Sequence, residues 1–148
     1  MEPIDIIYGY DLKNPVTQKQ ILDRIGDLKP DLVTLSPRCG PWSQMQRINP
    51  NVDKVMEDQQ QDIPLWRFCR KVWDEQDKNG RLVLTENPYQ SAALTMDFMM
   101  ERPNLHRAKI PQCAFGLKDA VSGKPHQKYT ALDVNDAGMR EALMEGAT

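Results

Sequence analysis

A single thiol in a stiff loop is the strongest candidate for chemistry in this sequence. Residues 36–43 read Ser-Pro-Arg-Cys-Gly-Pro-Trp-Ser and directly follow a short apolar run. Two prolines and a glycine restrict such a loop, and the neighbouring Arg38 favours the thiolate form of Cys39. The loop therefore predicts Cys39 as a nucleophile, and the alternative is a small buried cysteine beside a turn.

A carboxylate at the end of another apolar run is the second candidate. Glu86 follows the predicted strand 81–85, whose centre Leu82-Val83-Leu84 is apolar, and precedes Asn87-Pro88. A carboxyl group in a cleft can hydrogen-bond the ring nitrogen and exocyclic amine of a heterocycle, or act as an acid once burial raises its pKa. The alternatives are a solvated carboxylate at a strand end and a cap for a helix that starts at Ser91.

Apolar periodicity predicts an α/β domain that would hold both residues. Strands are predicted over residues 4–10, 31–36 and 81–85, and helices over residues 17–28, 51–78 and 91–100. Thr17 is the predicted N-cap of the first helix, and Pro64 predicts a kink or break in the second. Two further extended segments, 107–115 and 127–134, are joined by a turn at 122–125 and precede a last helix over 136–144. We expect one domain, residues 1–148, with a Rossmann-like three-layer sandwich, a mostly parallel sheet and an antiparallel C-terminal hairpin edge.

The predicted topology brings three polar segments to one edge of the sheet. In open α/β sheets, ligands bind outside the carboxyl ends of the strands. Asp11, residues 36–43 and residues 86–88 follow the three predicted strands. We therefore expect these segments to form the ligand site.

Composition restricts the possible settings and partners. The 148 residues carry a formal charge of −2, so no general positive field attracts nucleic acid. The cysteine count of three is odd and lacks a CxxC pair, which predicts reduced thiols inside a cell, in the cytoplasm or a nucleus, and no metal site. No apolar run approaches the roughly 18 to 20 residues that cross a bilayer, and the first residues do not resemble a secretory signal.

One segment is locally basic. Residues 101–130 contain six lysines and arginines against two acidic residues, which predicts a phosphate-binding face. The alternative is a solvated hairpin surface. Near the cysteine loop, Trp42, Gln44 and Gln46 are candidates to stack on or probe bases, although Trp42 can instead pack under the long helix. The methionines at 96, 99 and 100 are predicted to fill the core.

The chain resembles a known family over nearly its whole length. Residues 31–43, an aspartate-led apolar strand running into the proline–cysteine loop, look like the catalytic loop of the cytosine-5 DNA methyltransferases, and Glu86-Asn87 looks like their Glu-Asn strand end. In more detail, the chain is similar to the methyltransferase-like domains of retrotransposon-type polyproteins. The shared motifs are Gly9-Tyr10-Asp11, residues 37–46, residues 86–88, residues 112–117 and Lys128-Tyr129-Thr130.

The resemblance implies a mechanism and a set of binding residues. It implies that Cys39 attacks C6 of a flipped cytosine in DNA and that Glu86 holds N3 and the amino edge. The implied methyl donor is S-adenosylmethionine, with Asp11 as its acidic contact, Gly9 beside it and Pro37 in the pocket wall. The implied contacts to nucleic acid are Arg38, Ser43, Gln46, Lys124 and Lys128.

The sequence also departs from the family's pattern. Arg38 replaces the second proline, Asn87-Pro88 replaces Glu-Asn-Val, and lysines 124 and 128 with His126 stand where the family has an arginine-rich strand. The family's first strand and glycine-rich cofactor loop precede Gly9-Tyr10-Asp11, where this sequence has eight residues. We therefore expect either that strand 4–10 takes the central position in the sheet, or that a second chain or an upstream segment completes it.

Two other functions remain open from the sequence. One is a catalytically inactive or split methyltransferase-like module that binds nucleic acid or protein. The other treats residues 36–39 or 87–89 as a relic of the Asn-Pro-Pro-Tyr loop of amino-methyltransferases, although each segment has a single proline.

Overall fold

The computed structural model describes residues 4–5, 8–125 and 128–147, which form a mixed α/β fold as predicted. The helices are α1 (Pro15–Leu28), α2 (Val52–Lys78), α3 (Asp97–Met100) and α4 (Ala137–Gly146). The strands are β1 (Leu32–Leu35), β2 (Leu82–Pro88), β3 (His106–Pro111) and β4 (Tyr129–Val134). Short 3-10 turns cover Gly40–Trp42, Gln44–Ile48, Ala92–Thr95 and Gln112–Phe115.

The four strands form one sheet in the order β1-β2-β4-β3. β1 and β2 are parallel, whereas β4 pairs antiparallel with both β2 and β3. The predicted antiparallel C-terminal hairpin edge is confirmed, but the prediction of mostly parallel pairing is wrong. The connection from β3 to β4 contains no α-helix in its described residues, which suits an antiparallel return, and β4 enters between β2 and β3. As a result β1, β2 and β3 still run in the same direction.

The long helix α2 is the crossover between the parallel strands β1 and β2. It passes through Pro64 without a break, so the two separate helices allowed by the sequence are not formed. Its buried side chains on both sides of that position contact the sheet and its neighbours, among them Asp62, Trp66, Phe68, Cys69, Val72 and Trp73. This packing compensates for the backbone hydrogen bond that a proline cannot donate.

The ends of the helices differ from the prediction in two places. α1 begins at Pro15 and is capped by Asn14, whose side chain accepts a hydrogen bond from the Val16 N–H, so the predicted Thr17 cap is wrong. Pro15 suits the first turn of α1, because backbone N–H groups in that turn have no carbonyl partner within the helix and proline lacks an N–H. The predicted helix over 91–100 divides into the turn Ala92–Thr95 and the single-turn helix α3. Asp136 caps α4 by accepting from the Met139 N–H.

The predicted N-terminal strand lies partly outside the described residues, because residues 6 and 7 do. The described residues of that segment form a turn rather than a strand. The backbone N–H groups of Tyr8 and Tyr10 both donate to the Asp5 carbonyl, and Gly9 has a φ of +88°. Glycine adopts this left-handed conformation without the penalty that a side chain would bring.

One face of the β1–β2 half of the sheet packs against α1 and α2. Val33 and Leu35 contact the apolar clusters of these helices, and Val83 is buried on the same side. The next residues along each strand point the other way. On that opposite face, Leu32 is 41% exposed, and Leu82 and Leu84 are half-buried. Helix α4 packs on β3 and β4, in the other half of the sheet. We call Leu32, Leu82 and Leu84 the outer face.

In the described part of the chain, no helix has the length and apolar character needed to cross a bilayer.

Candidate functional site

The ends of β1 and β2 bring the two sequence-predicted segments to one edge of the sheet. The strands are parallel and in register, with Leu35 opposite Thr85. The chain leaves β1 directly into the loop that carries Cys39, and Glu86 is the next residue of β2. The two segments are therefore neighbours, as expected for the carboxyl ends of adjacent parallel strands.

A buried asparagine ties these segments together. The Asn87 Nδ2 donates to the Pro37 carbonyl over 3.1 Å and to the Glu86 carbonyl over 2.9 Å. Asn87 is 3% exposed, and its Oδ1 is buried without a hydrogen-bond partner within the described ranges. Sequence reasoning singled out Glu86 and gave Asn87 no role. The available signal was an amide side chain at the alternating position that follows Val83 and Thr85 on the buried face of the strand.

Arg38 is held by a second buried group, Asp62 of α2. The Arg38 Nη2 lies 2.9 Å from Asp62 Oδ1 and its Nε donates to Oδ2 over 3.3 Å, while Lys13 Nζ lies 2.7 Å from Oδ1. Burial by itself raises the pKa of Asp62, but the hydrogen bonds and charges of Arg38 and Lys13 outweigh it and lower that pKa. The guanidinium of Arg38 is thus paired with Asp62. In the sequence, Asp62 is recognisable only as an acidic residue on an apolar helix face, and nothing indicates that it pairs with Arg38 and Lys13.

Cys39 is half-buried at the start of the turn Gly40–Trp42. Its carbonyl oxygen accepts from the Trp42 N–H over 2.7 Å, which fixes the loop backbone after the thiol. The fully buried cysteine of this chain is Cys69 in α2, and burial raises the pKa of its thiol to about 12. Cys39 therefore differs from a core cysteine in its accessibility, which a nucleophile requires.

Glu86 is half-buried inside β2 and faces a threonine of β4. Its Oε1 lies 2.6 Å from the Thr130 Oγ1, and that hydroxyl also lies 3.0 Å from the Asn87 carbonyl. Glu86 is therefore neither a freely solvated carboxylate nor a cap of the turn at Ala92–Thr95. Thr130 orients the carboxylate, and Glu86 Oε2 accepts no hydrogen bond in the described part of the chain.

The residues expected to bind S-adenosylmethionine form an open surface. Asp11 is exposed, and its Oδ1 accepts from the Lys13 N–H over 3.0 Å in a local turn. Gly9 is exposed, and Pro37 is half-buried. Two surface hollows, one between α1 and α2 and one between α2 and α3, contain none of these three residues. An exposed carboxylate fits a contact to ribose hydroxyls, but neither hollow encloses these three residues.

The polar residues after Cys39 mostly stabilise the loop itself. The Ser43 hydroxyl caps the turn Gln44–Ile48 by accepting from the Met45 N–H, and the Gln46 Nε2 donates to the Gly40 carbonyl over 3.3 Å. Trp42 is 3% exposed and packs edge-on against Trp66, with ring centroids 6.1 Å apart. Its predicted packing under the long helix is therefore confirmed, and its ring is not free to stack on a base.

In the basic segment 101–130 the four lysines are exposed, whereas Arg102 is 4% exposed and both Arg102 and Arg107 are paired with Asp133, so these two arginines are not available as part of a phosphate-binding face. Lys124 and Lys128 are both exposed, and a short antiparallel bridge joins Lys118 to Pro125. His126 lies outside the described residues.

Met99 is in the core and Met96 packs against it, whereas Met100 is 61% exposed, so the core prediction is wrong for Met100.

Comparisons of the chain with models of protein families, with curated protein sequences and with solved structures gave no match.

Proposed function

We propose that this chain is a DNA cytosine-5 methyltransferase-like domain in which Cys39 and Glu86 act on one flipped cytosine. The observation that carries the proposal is the hydrogen bond between Asn87 and the Pro37 carbonyl, because it couples the thiol loop to the strand end that bears the carboxylate. The common direction of β1, β2 and β3 supports a Rossmann-like arrangement with one antiparallel strand inserted.

In this proposal the side chains of Cys39 and Glu86 act on different atoms of the pyrimidine ring. The Cys39 thiolate forms a bond to C6, the C5–C6 double bond opens, and its electron pair makes C5 a carbon nucleophile. Glu86 holds N3 and the exocyclic amino group, and Thr130 keeps the carboxylate in place. When C5 has gained its substituent and lost its proton, the C6–sulfur bond breaks and returns the thiolate.

S-adenosylmethionine is the methyl donor in this proposal, and it supplies an electrophilic methyl group when bound. Asp11 would contact its ribose or adenine, with Gly9 beside it and Pro37 against its apolar surface. Because neither surface hollow encloses these residues, a second chain or an upstream segment would complete the pocket.

The thiol and carboxylate chemistry can be tested without the methyl donor. Addition of Cys39 to C6 makes C5 exchange its hydrogen with solvent, so we expect the protein to promote deuterium uptake at cytosine C5 in a DNA oligonucleotide. Mass spectrometry in D2O measures the uptake. Cys39→Ser and Glu86→Gln should each lower the exchange rate at least about 100-fold, which is the scale of one nucleophilic or acid–base contribution.

A matched cysteine variant separates this chemistry from general thiol effects. Cys113→Ser removes another half-buried thiol, in the turn Gln112–Phe115, and should leave the exchange rate unchanged. Exchange no faster than in buffer would reject the catalytic assignment of Cys39. Equal exchange by wild type and Cys39→Ser would reject it as well.

A split or inactive module that binds nucleic acid or protein is the second candidate. The outer face and the edge of β1, which pairs with no second strand among the described residues, favour it, since they leave apolar side chains and backbone groups for a partner. Calorimetry with S-adenosylmethionine distinguishes the two candidates. Micromolar binding, about −8 kcal/mol, that is lost in Asp11→Ala supports an autonomous enzyme, whereas no binding supports the split or inactive module.

A further inference from the structure

An exposed lysine lies between two tyrosine rings at the carboxyl-end edge of the sheet. The Lys109 Nζ is 4.4 Å from the ring centroid of Tyr89 and 4.4 Å from that of Tyr129. The two tyrosines are 36% and 38% exposed. A hydrogen bond of 3.1 Å from the Tyr89 N–H to the Tyr129 carbonyl fixes the spacing of their backbones. We call these three residues the tyrosine–lysine cluster.

Strand register puts the cluster on one face of the sheet. Lys109 and Asn87 are both opposite Ala131, and Tyr129 is two residues from Ala131 in β4. Side chains two residues apart in a strand point to the same face. Tyr129 directly precedes Thr130, the residue that contacts the Glu86 carboxylate, so the cluster and that carboxylate share one end of the strands but point to opposite faces of the sheet. The cluster therefore lies at the same sheet edge as the candidate site.

The charge of Lys109 is not neutralised by a carboxylate of the described chain. On the same face, Arg107 is paired with Asp133, whereas Lys109 has only the two rings as partners of its ammonium group within the described ranges. Lys128, next to Tyr129, is exposed as well. Fixed aromatic faces beside unneutralised cations are the groups that bind single-stranded nucleic acid, because bases stack on the rings and phosphates contact the cations.

We propose that the tyrosine–lysine cluster binds single-stranded DNA, with an unpaired base stacked on a tyrosine ring and a phosphate on Lys109. This inference deepens the proposed function, on which its choice of DNA rests, by assigning a contact for unpaired nucleotides on the strand that carries the target cytosine. A base can stack on a side chain only when it is out of the duplex, so the cluster should prefer single strands to duplexes.

Binding of a labelled thymine-only oligonucleotide of twelve nucleotides, followed by fluorescence anisotropy, tests the proposal. We expect Tyr89→Leu and Tyr129→Leu each to weaken binding about ten-fold, since stacking on one aromatic ring is worth about a factor of ten. Tyr129→Phe keeps the ring and should bind like wild type. Lys109→Gln should weaken binding and make the slope of log affinity against log salt shallower by about 0.7.

The controls keep the result independent of the catalytic proposal. The oligonucleotide contains no cytosine, so Cys39→Ser should bind it like wild type, and the exchange assay at C5 reports separately on the thiol. Lys78→Gln removes an exposed lysine at the opposite end of β2 and should bind like wild type. Equal binding by wild type and both leucine variants, with thermal melting unchanged, would overturn the proposal. Equal affinity for the duplex would overturn the stacking, and equal affinity for an RNA strand would overturn the choice of DNA.

Discussion

The side-chain amide of Asn87 donates a hydrogen bond to the backbone carbonyl of Pro37 over 3.1 Å, across 50 residues of sequence. This bond fixes the position of the Cys39 loop relative to β2. It does so from inside the protein, because Asn87 is 3% exposed. The geometry of the candidate site therefore depends on a residue that is not itself at the surface.

Asn87→Asp should loosen the Cys39 loop. The substitution replaces the donor with a carboxylate oxygen that faces the Pro37 carbonyl. We expect the free energy of unfolding to fall by about 1 to 3 kcal/mol and the alkylation rate of Cys39 to rise. Urea unfolding and timed iodoacetamide labelling measure both. Gln90→Glu adds the same charge at an exposed neighbouring position and should change stability by less than about 0.5 kcal/mol. Unchanged labelling in Asn87→Asp would contradict a restraining role for this bond.

The buried carboxylate of Asp62 should make stability depend on acidic pH. Lys13 and Arg38 hold its pKa below the ordinary value of 3.8 even though burial acts in the opposite direction. A carboxyl group whose pKa is lower in the folded state stabilises the fold above its ordinary pKa, and this contribution is lost as the pH falls through the folded-state value. We therefore expect the free energy of unfolding to decrease from about pH 5 downwards.

Asp62→Asn isolates that contribution. At pH 7 the variant should be less stable by about 1 to 3 kcal/mol, because a neutral amide cannot satisfy both cations. Its stability should fall less steeply than that of wild type between pH 5 and pH 2. Asp58→Asn, which removes a partly exposed carboxylate paired with Lys54 on the same helix, is the matched control and should cost under about 1 kcal/mol. Parallel pH profiles of wild type and Asp62→Asn would exclude Asp62 as the source of the acid dependence.

The three cysteines should differ in reactivity. Cys39 and Cys113 are half-buried, whereas burial raises the pKa of the Cys69 thiol to about 12, against a weaker opposing effect of the Arg102 charge. The thiolate is the reactive form, so Cys69 should react slowly. Titration of the native protein with a disulfide reagent at pH 8 should give two fast thiols, and titration in denaturant should give three. Rapid reaction of all three thiols in the native protein would show that the α2 core opens readily.

Arg102 should contribute more to stability than its neighbour Arg107. The Arg102 side chain is fully buried, donates to Met99 and Thr85, pairs with Asp133 and lies 4.4 Å from the ring centroid of Trp73. Removing one partner of such a buried network costs about 3 to 5 kcal/mol. Arg107 binds the same carboxylate but is 32% exposed.

Methionine substitutions test this difference because methionine keeps much of the apolar stem. Arg102→Met should lower the free energy of unfolding by about 3 kcal/mol or more, and Arg107→Met by about 1 to 2 kcal/mol. Chemical denaturation gives both values. An equal cost for the two variants would mean that burial does not set the strength of these contacts.

Much of the fold was predictable because it depends on local patterns. The apolar runs of β1, β2 and β4 predicted strands, and the helical spacing in α1 and α2 predicted helices, since side-chain periodicity reports which face of an element is buried. The succession of strand, helix and strand also predicted that the Cys39 loop and Glu86 would lie at the ends of neighbouring strands, although β2 continues past Glu86 to Pro88. Errors of one to a few residues arose at the ends of elements, as at Asn14, where a capping side chain decided the helix start.

Only the tertiary structure decided how distant segments meet. Nothing local in the sequence indicates that β4 enters between β2 and β3, that Asp62 pairs with Lys13 and Arg38, or that Lys109 lies between Tyr89 and Tyr129. Each of these contacts joins residues that are far apart along the chain. Their energy depends on distance, burial and orientation in the packed protein, and residue type and spacing do not fix those quantities.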